Sequence, residues 1–141
     1  MQRSLISILA IFCLTANVQA RDPHETARVE TLARSTNSWD GARLPAYPAG
    51  QPEITVLRIQ IPPGTALPLH RHPVINAGVM LRGKLTVVTE AGKEHHLQAG
   101  DAIIELVETW HAGRNEGNEV AEIVVFYAGS TGQAITESKP D

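Results

Sequence analysis

Two histidines one residue apart, His70 and His72, are the side chains in this sequence best placed to bind a metal. Side chains on an extended strand alternate between its two faces, so both imidazoles would point to the same side. Imidazole is the commonest metal ligand of proteins near neutral pH. The pair therefore predicts half of a metal site, although two exposed polar residues would leave the same pattern.

The same alternation extends into the next residues. If the strand continues past Pro73 without a slip, one face carries His70, His72, Val74, Asn76, Gly78 and Met80. Two interpretations of Gly78 remain open. It leaves a gap in which water or a small molecule sits beside a metal, or it marks a bulge or the close approach of a neighbouring strand.

The first 20 residues have the layout of a secretory signal peptide. Arg3 supplies a positive charge, Leu5–Leu14 is almost wholly apolar, and the segment ends in Ala20. We predict cleavage after Ala20 and a periplasmic or secreted protein. A run of about 10 apolar residues is too short to span a bilayer, which takes about 20, so no stable membrane insertion is expected after cleavage.

Cysteine content and charge exclude other chemistry. The only cysteine, Cys13, lies inside the predicted signal peptide, so the mature chain would carry neither a disulfide nor a reactive thiol. The net charge is −3 at pH 7, and the removal of Arg3 makes it one unit more negative. The sequence has no basic cluster, and nucleic-acid binding leaves a positive footprint, so we predict no nucleic-acid partner.

Residues 21–52 are polar and contain several prolines and glycines, which predicts an extended N-terminal arm. Within the arm, residues 28–35 fit either a short strand or one helical turn. Trp39 is the expected anchor, because a large aromatic side chain in a polar segment usually buries itself. A second role for Trp39, stacking on a ligand, stays open.

Residues 53–128 alternate short apolar runs with glycine-containing turns, and no segment predicts a long helix. This spacing is typical of an all-β sandwich or barrel. We predict one domain over these residues, followed by a C-terminal tail, residues 129–141, that forms a short edge strand and then frays. The predicted strands cover residues 53–61, 74–81, 84–90, 94–97, 102–107, 109–114 and 120–127.

Two motifs around the histidines resemble those of the cupin superfamily. The first has gaps of five, one, three and six residues between Gly64, His70, His72, Asn76 and Gly83. The second has gaps of five, one, two and three residues between Gly100, Leu106, Glu108, His111 and Asn115. The chain is similar to small secreted single-domain bacterial cupins of unassigned activity. The resemblance implies an all-β, jelly-roll-like cupin β-barrel.

In cupins, two histidines and a glutamate of the first motif and a histidine of the second hold one divalent metal inside the barrel. The resemblance therefore implies that His70, His72 and His111 are metal ligands here, with Asn76 at the glutamate position. The metal would be Fe, Mn, Zn, Ni or Cu. Because an amide offers an oxygen without charge, we expect weaker metal binding and a stronger pull of the ion on an anionic ligand.

A carboxylate could also reach the site from Glu105 or Glu108, and Leu106 and Glu108 stand where the family has proline and glycine. Glu105 shares odd-numbered parity with His111, so a regular strand would point it inward, while an outward, solvated orientation stays open. A buried carboxylate needs a metal, an arginine or a proton. We predict Glu105 as the catalytic proton-transfer group.

Two functions follow from this set of residues. One is a metalloenzyme acting on a small anionic or oxygen-bearing molecule, with the metal as a Lewis acid or as an activator of water or dioxygen. The other is a barrel that binds a metal or small ligand without turnover, which the lack of an obvious nucleophile favours. Fold resemblance does not choose between them. The resemblance also allows a homodimer. The His95–His96 pair is predicted to lie on the surface.

Overall fold

The computed structural model describes residues 26–140, so the predicted signal peptide lies outside the described residues. The compact unit that carries the strands spans Thr31–Asp141, and the five described residues of the other unit, Met1–Glu30, are exposed and irregular. In the described part of the chain, no helix is long and apolar enough to cross a membrane. The strands are β1 (Pro52–Ile61), β2 (His70–Arg71), β3 (Ile75–Arg82), β4 (Lys84–Thr89), β5 (Glu94–Gln98), β6 (Ala102–Ile104), β7 (His111–Arg114), β8 (Ala121–Ser130) and β9 (Glu137–Ser138).

The strands form two antiparallel sheets, which confirms the predicted all-β, jelly-roll-like barrel. One sheet has the order β1-β8-β3-β6, and the other has the order β5-β4-β7-β2-β9. The hydrophobic core draws on both sheets, with Ile61, Met80 and Ile123 from the first and Leu85 and Val87 from the second. The two inner faces therefore enclose the core between them.

The predicted shared face of the histidine segment is confirmed. Every even-numbered residue from His72 to Met80 is buried, while the odd-numbered residues between them are half-buried. The alternation continues although β2 and β3 belong to different sheets. A short irregular stretch between them, which contains Pro73, carries the chain from one sheet to the other without changing which side chains point inward.

Gly78 marks a close approach of strands, and the interpretation of Gly78 as a gap is wrong. A Cβ atom at this position would lie 2.9 Å from Ile123 Cδ1 and 3.2 Å from the Val124 carbonyl oxygen, both on the paired strand β8. The space is already filled by β8. A small molecule beside the histidines must therefore sit elsewhere in the barrel.

The loop between β6 and β7 crosses directly over the histidine segment. Strand β6 ends at Ile104, three residues before the predicted end, although the next residue still bonds to β3, its partner strand. The Glu105 N–H donates to the Asn76 carbonyl at 3.1 Å, and the Glu108 N–H donates to the His72 carbonyl at 2.9 Å. Glu108 itself has a φ of 56°, a left-handed conformation that favours glycine.

The arm and the tail both attach to the barrel. The Trp39 N–H donates to the Ile104 carbonyl at 2.9 Å, and the indole packs against the core, which confirms Trp39 as an anchor. Residues 28–35 form neither the strand nor the helical turn that the sequence allowed, and their side chains are exposed. In the tail, β9 pairs with β2 at the edge of its sheet, which confirms the short edge strand.

Candidate metal centre

Three histidines meet inside the barrel because two short strands pair at the right register. His70 on β2 lies directly opposite His111, the first residue of β7, and His72 follows two residues later on the same face. Their ring centroids lie 4.5 to 5.0 Å apart. One nitrogen from each ring can be chosen so that all three lie within 4.8 Å of one another. This spacing suits three ligands of a single ion.

Backbone carbonyls fix the orientation of all three imidazoles. A carbonyl oxygen only accepts hydrogen bonds, so the bonded Nδ1 must carry the proton and Nε2 must keep its lone pair. A metal-binding histidine typically has its second nitrogen held in this way. His70 Nδ1 donates to the Pro68 carbonyl at 2.7 Å, and His111 Nδ1 donates to the Thr109 carbonyl at 2.7 Å. His72 Nδ1 donates to the Ile135 carbonyl at 2.8 Å.

Burial keeps the three rings neutral. Loss of solvation lowers the pKa of His72 to about 4 and also lowers the pKa values of His70 and His111. The neutral form is the one that can bind a metal. His111 Nε2 is buried and has no hydrogen-bond partner among the described residues. An unpaired buried acceptor is costly, and a bound cation would satisfy it, so these residues fit a divalent metal.

Asn76 lies in the same cavity as the histidines and is only 1% exposed. Its Nδ2 donates to the Val74 carbonyl at 3.2 Å, while its Oδ1 is buried without a partner among the described residues. The side chain therefore offers a free amide oxygen inside the cavity, as expected if Asn76 ligates a metal weakly or accepts a hydrogen bond from a bound molecule.

Glu105 points inward, so the solvated orientation is wrong. Its side chain is 12% exposed, and Oε1 lies 3.9 Å from His111 Nε2. Strand alternation accounts for this orientation, because Glu105 directly follows β6 and shares odd-numbered parity with its buried residue Ile103. The same Oε1 accepts hydrogen bonds from Trp39 Nε1 at 3.2 Å and from the Leu106 N–H at 3.0 Å. Burial raises the pKa of Glu105 despite these two donors.

Glu108, the alternative carboxylate, faces away from the histidines. It is more than half exposed and pairs with Arg71 at 3.2 Å. Arg71 also pairs with Glu137 at 2.7 Å and lies over the Trp110 ring at 4.9 Å. These contacts brace the outside of the site and leave Glu105 as the carboxylate that lines the cavity.

Trp39 and Tyr127 belong to the candidate metal centre, although the sequence did not predict this role for either of them. Trp39 was expected to anchor the arm, and its bond to Glu105 joins residues 66 positions apart. Tyr127 is buried, and its ring meets the His72 ring edge at 5.3 Å. Burial raises the pKa of Tyr127 to about 12, so the hydroxyl keeps its proton. The sequence signal for Tyr127 was its odd-numbered parity with Val125 on β8, which places both side chains on the inward face of the strand.

A cavity of about 280 Å³ opens in front of these side chains. Its polar part is lined by the three histidines, Asn76, Glu105, Tyr127, Thr136 and Ser138, and most of the rest is lined by aliphatic side chains. The His95–His96 pair lies elsewhere. His96 is exposed, as predicted, whereas His95 is half-buried and stacks on Trp39 with ring centroids 5.1 Å apart.

Comparison with known proteins finds solved structures with a similar fold. One similar structure is an uncharacterised protein with a double-stranded β-helix domain from Klebsiella pneumoniae, with 19% identity and a TM-score of 0.54 over 82% of this chain and 100% of that one. Another is the DMSP lyase DddQ from Ruegeria pomeroyi, with 21% identity and a TM-score of 0.54 over 61% of this chain and 43% of that one. The chain therefore spans less than half the length of that lyase.

A third similar structure is an oxalate decarboxylase from Lactobacillus farciminis, with 23% identity and a TM-score of 0.51 over 60% of this chain and 26% of that one. At these identities the likeness concerns the fold alone. No curated protein matches the sequence. A family model described as the cupin domain matches residues 57–127, which is half of the chain. This protein belongs to the cupin family.

Proposed function

We propose that this protein is an exported cupin that binds one divalent metal through His70, His72 and His111 and acts on a small molecule in the barrel. The observation that carries the proposal is the common anchoring of the three rings. Each Nδ1 donates to a backbone carbonyl, so each Nε2 is left to face the cavity as a lone-pair donor.

The donor set favours an anionic or oxygen-bearing ligand. A bound divalent ion would supply Lewis-acid polarisation of an oxygen atom in that ligand. Three neutral imidazoles and the Asn76 amide would leave the charge of the ion uncompensated, which attracts negative charge to the open side of the site. Asn76 Oδ1, which has no partner among the described residues, could ligate the ion or accept a hydrogen bond from the ligand.

Glu105 is the proposed proton-transfer group. It is the only carboxylate among the described residues that line the cavity, and it lies 3.9 Å from a histidine Nε2. Its raised pKa brings it closer to the neutral range in which a general acid or base works well. The Trp39 and Leu106 N–H groups hold Oε1 in place, and the protonated Tyr127 hydroxyl supplies a nearby donor.

The second candidate function is binding without turnover. The observation that favours it is that Glu105 Oε1 already accepts two hydrogen bonds, from Trp39 and from Leu106. A carboxylate that only holds the structure together would accept the same two hydrogen bonds. In that case the barrel would hold a metal or a metal-bound small ligand, with Glu105 fixing the arm to the site.

Metal content tests the proposal directly. Elemental analysis of the purified protein, grown with each of the five candidate metals, should give close to one divalent ion per chain. The His72→Ala variant should retain none, while the surface variant His96→Ala should match the wild type. A wild-type protein that carries no metal under any of these conditions contradicts the proposal.

Turnover separates the enzyme from the binder. Small carboxylic and hydroxy acids should be screened for conversion with the metal-loaded protein. Glu105→Gln should lower the rate by about 10²- to 10⁴-fold, the usual contribution of a general acid or base, while the metal content stays unchanged. Equal rates in the two proteins eliminate the proton-transfer role, and binding without conversion favours the second function.

Export and pairing are further parts of the proposal. Cell fractionation and mass measurement of the mature chain test cleavage after Ala20. Light scattering tests the homodimer, which is supported by exposed apolar side chains on the outer face of the first sheet, where Val56 on β1 lies opposite Phe126 on β8.

A further inference from the structure

The cavity changes from polar to apolar along the strands, and strand register fixes the direction. On the first sheet, Asn76 of β3 pairs with Tyr127 of β8 at the histidine level. Two residues before Tyr127 on β8, Val125 pairs with Leu57. Two residues earlier still, Ile123 pairs with Ile59. At about 3.4 Å per residue, this aliphatic wall extends for roughly 13 Å from the Tyr127 level.

The facing sheet shows the same change in the same direction. His111 pairs with His70 on one side and with Thr89 on the other, which places this row at the polar level. Two residues on, Gly113 pairs with Val87, and Leu85 lies two residues beyond Val87 along β4. Val87 and Leu85 both line the cavity. Both inner walls are therefore aliphatic beyond the histidine level.

The cavity offers no cation of its own to an anionic ligand. Among the described residues that line it there is no lysine or arginine. A polyol or sugar would bring hydroxyl groups against leucine, isoleucine and valine side chains, where they would lose their hydrogen bonds. A hydrocarbon body, by contrast, gains from the removal of its surface from water.

We infer that the cavity takes a small molecule with an anionic oxygen head, such as a carboxylate, and a short hydrocarbon body. The head lies at the level of Asn76 and the histidines, and the body lies along the walls formed by β1, β8 and β4. The inference rests on the proposed function, because the metal supplies the positive charge that the head needs. The volume of about 280 Å³ lies just below that of pockets for drug-sized ligands, about 300–1,000 Å³, which limits the body to a few carbons.

Leu57 provides a variant that tests the wall without threatening the fold. It faces inward on β1, an edge strand, yet it is 37% exposed. A polar side chain there can still reach water, so Leu57→Gln should fold. Leu81 is the matched control, because it is an exposed leucine, 47% accessible, that does not line the cavity.

The experiment measures binding of acetate, butanoate, hexanoate and glucose to the zinc-loaded protein by calorimetry. Affinity should rise by about fourfold per methylene group until the cavity is full, and glucose should not bind. Leu57→Gln should flatten the rise for the longer acids and leave acetate binding unchanged. Leu81→Gln should behave like the wild type.

The outcomes separate this inference from the proposal of a metal site. An affinity that does not depend on chain length, or tighter binding of glucose than of hexanoate, overturns the inference even when the metal is bound. If the wild type retains no metal, the metal proposal fails, and the same series on the metal-free protein still measures the increment per methylene. In His72→Ala, all three acids should weaken by a common factor while the increment persists.

Discussion

Two groups of histidines in this protein differ in almost everything except residue type. His70, His72 and His111 meet inside the barrel, and His95 and His96 lie on β5 at its surface. Each group has a carboxylate near an Nε2 atom: Glu105 lies 3.9 Å from His111, and Glu94 lies 3.6 Å from His96. The His111 side chain is 2% exposed and the His96 side chain 70% exposed.

The comparison shows that spacing and backbone anchoring distinguish the inner histidines, which could hold a metal ion, from the outer pair. His95 and His96 are adjacent on a strand, so they point to opposite faces and cannot share an ion. One stacks on Trp39, and the other contacts the Thr86 hydroxyl at 3.0 Å. The inner rings share one face, and each is held by a backbone carbonyl.

The largest expected difference between the two groups is in metal affinity. His111→Ala removes one of three convergent nitrogens and should weaken binding at least ~100-fold, since even the loss of an outer partner costs about 10- to 100-fold. His96→Ala should change nothing. Competition titration with a chromophoric chelator measures both variants. Equal affinities would place the metal away from the barrel.

The stability of the metal-free protein should depend on pH through the inner group. The pKa of His72 falls to about 4 in the folded protein, below its usual 6.5, so the unfolded chain binds more protons between these values. The free energy of unfolding should therefore fall as pH drops from 6.5 to 4, by on the order of 3 kcal/mol from His72. Urea denaturation at several pH values measures this.

Matched variants locate the source of that pH dependence. His72→Gln should make the profile less steep, because the amide does not titrate while His70 and His111 still do. His96→Gln is the matched surface control, because the His96 side chain is 70% exposed. A wild-type profile no steeper than that of His72→Gln between pH 7 and 4.5 would show that burial does not hold His72 neutral.

The two carboxylates should respond in opposite directions to neutralisation. Burial raises the pKa of Glu105, so its contribution to stability is present at low pH and is lost as pH rises through that pKa. Glu105→Gln removes this loss and should stabilise the metal-free protein at pH 8 by ~1–2 kcal/mol. Glu94→Gln breaks an exposed pair with Arg114 and should cost less than about 1 kcal/mol. Chemical denaturation measures the sign of the change in the free energy of unfolding for each variant. If both variants are destabilised, the expected contrast between the two carboxylates is wrong.

Trp39 joins the outer pair of histidines to Glu105, the carboxylate beside the inner group. Its ring stacks on His95, and its Nε1 donates to Glu105. Trp39→Phe keeps an aromatic ring for stacking but removes the donor, so it should cost about 1 kcal/mol. In the Glu105→Ala background the same change should cost less, because the acceptor is already gone. An equal cost in both backgrounds means that the bond contributes nothing.

The sequence was sufficient for the fold class and for the convergence of the three histidines. Both depend on local rules: strand alternation predicts which side chains share a face, and the spacing of His70, His72 and His111 matches a known family pattern. The inward orientation of Glu105 was among the predicted alternatives, and its parity with the buried Ile103 of β6 explains it.

The remaining features depend on contacts between distant parts of the chain. Trp39 reaches Glu105 across 66 residues, and the carbonyl that holds His72 comes from Ile135, 63 residues away. No local pattern encodes such pairs, because they form only when an arm and a tail pack on the finished sheets. Gly78 was ambiguous for the same reason, since its role depends on Ile123 of a strand far along the chain.

The bond from His72 to Ile135 has a consequence for the order of events during assembly. Ile135 precedes β9, the last described strand, so one of the three rings gains its fixed orientation only after that strand docks beside β2. A nascent or partly folded chain would offer two fixed imidazoles and hold an ion weakly. Tight capture would follow barrel closure, and the metal would be selected from whichever ions are present in the compartment where folding ends.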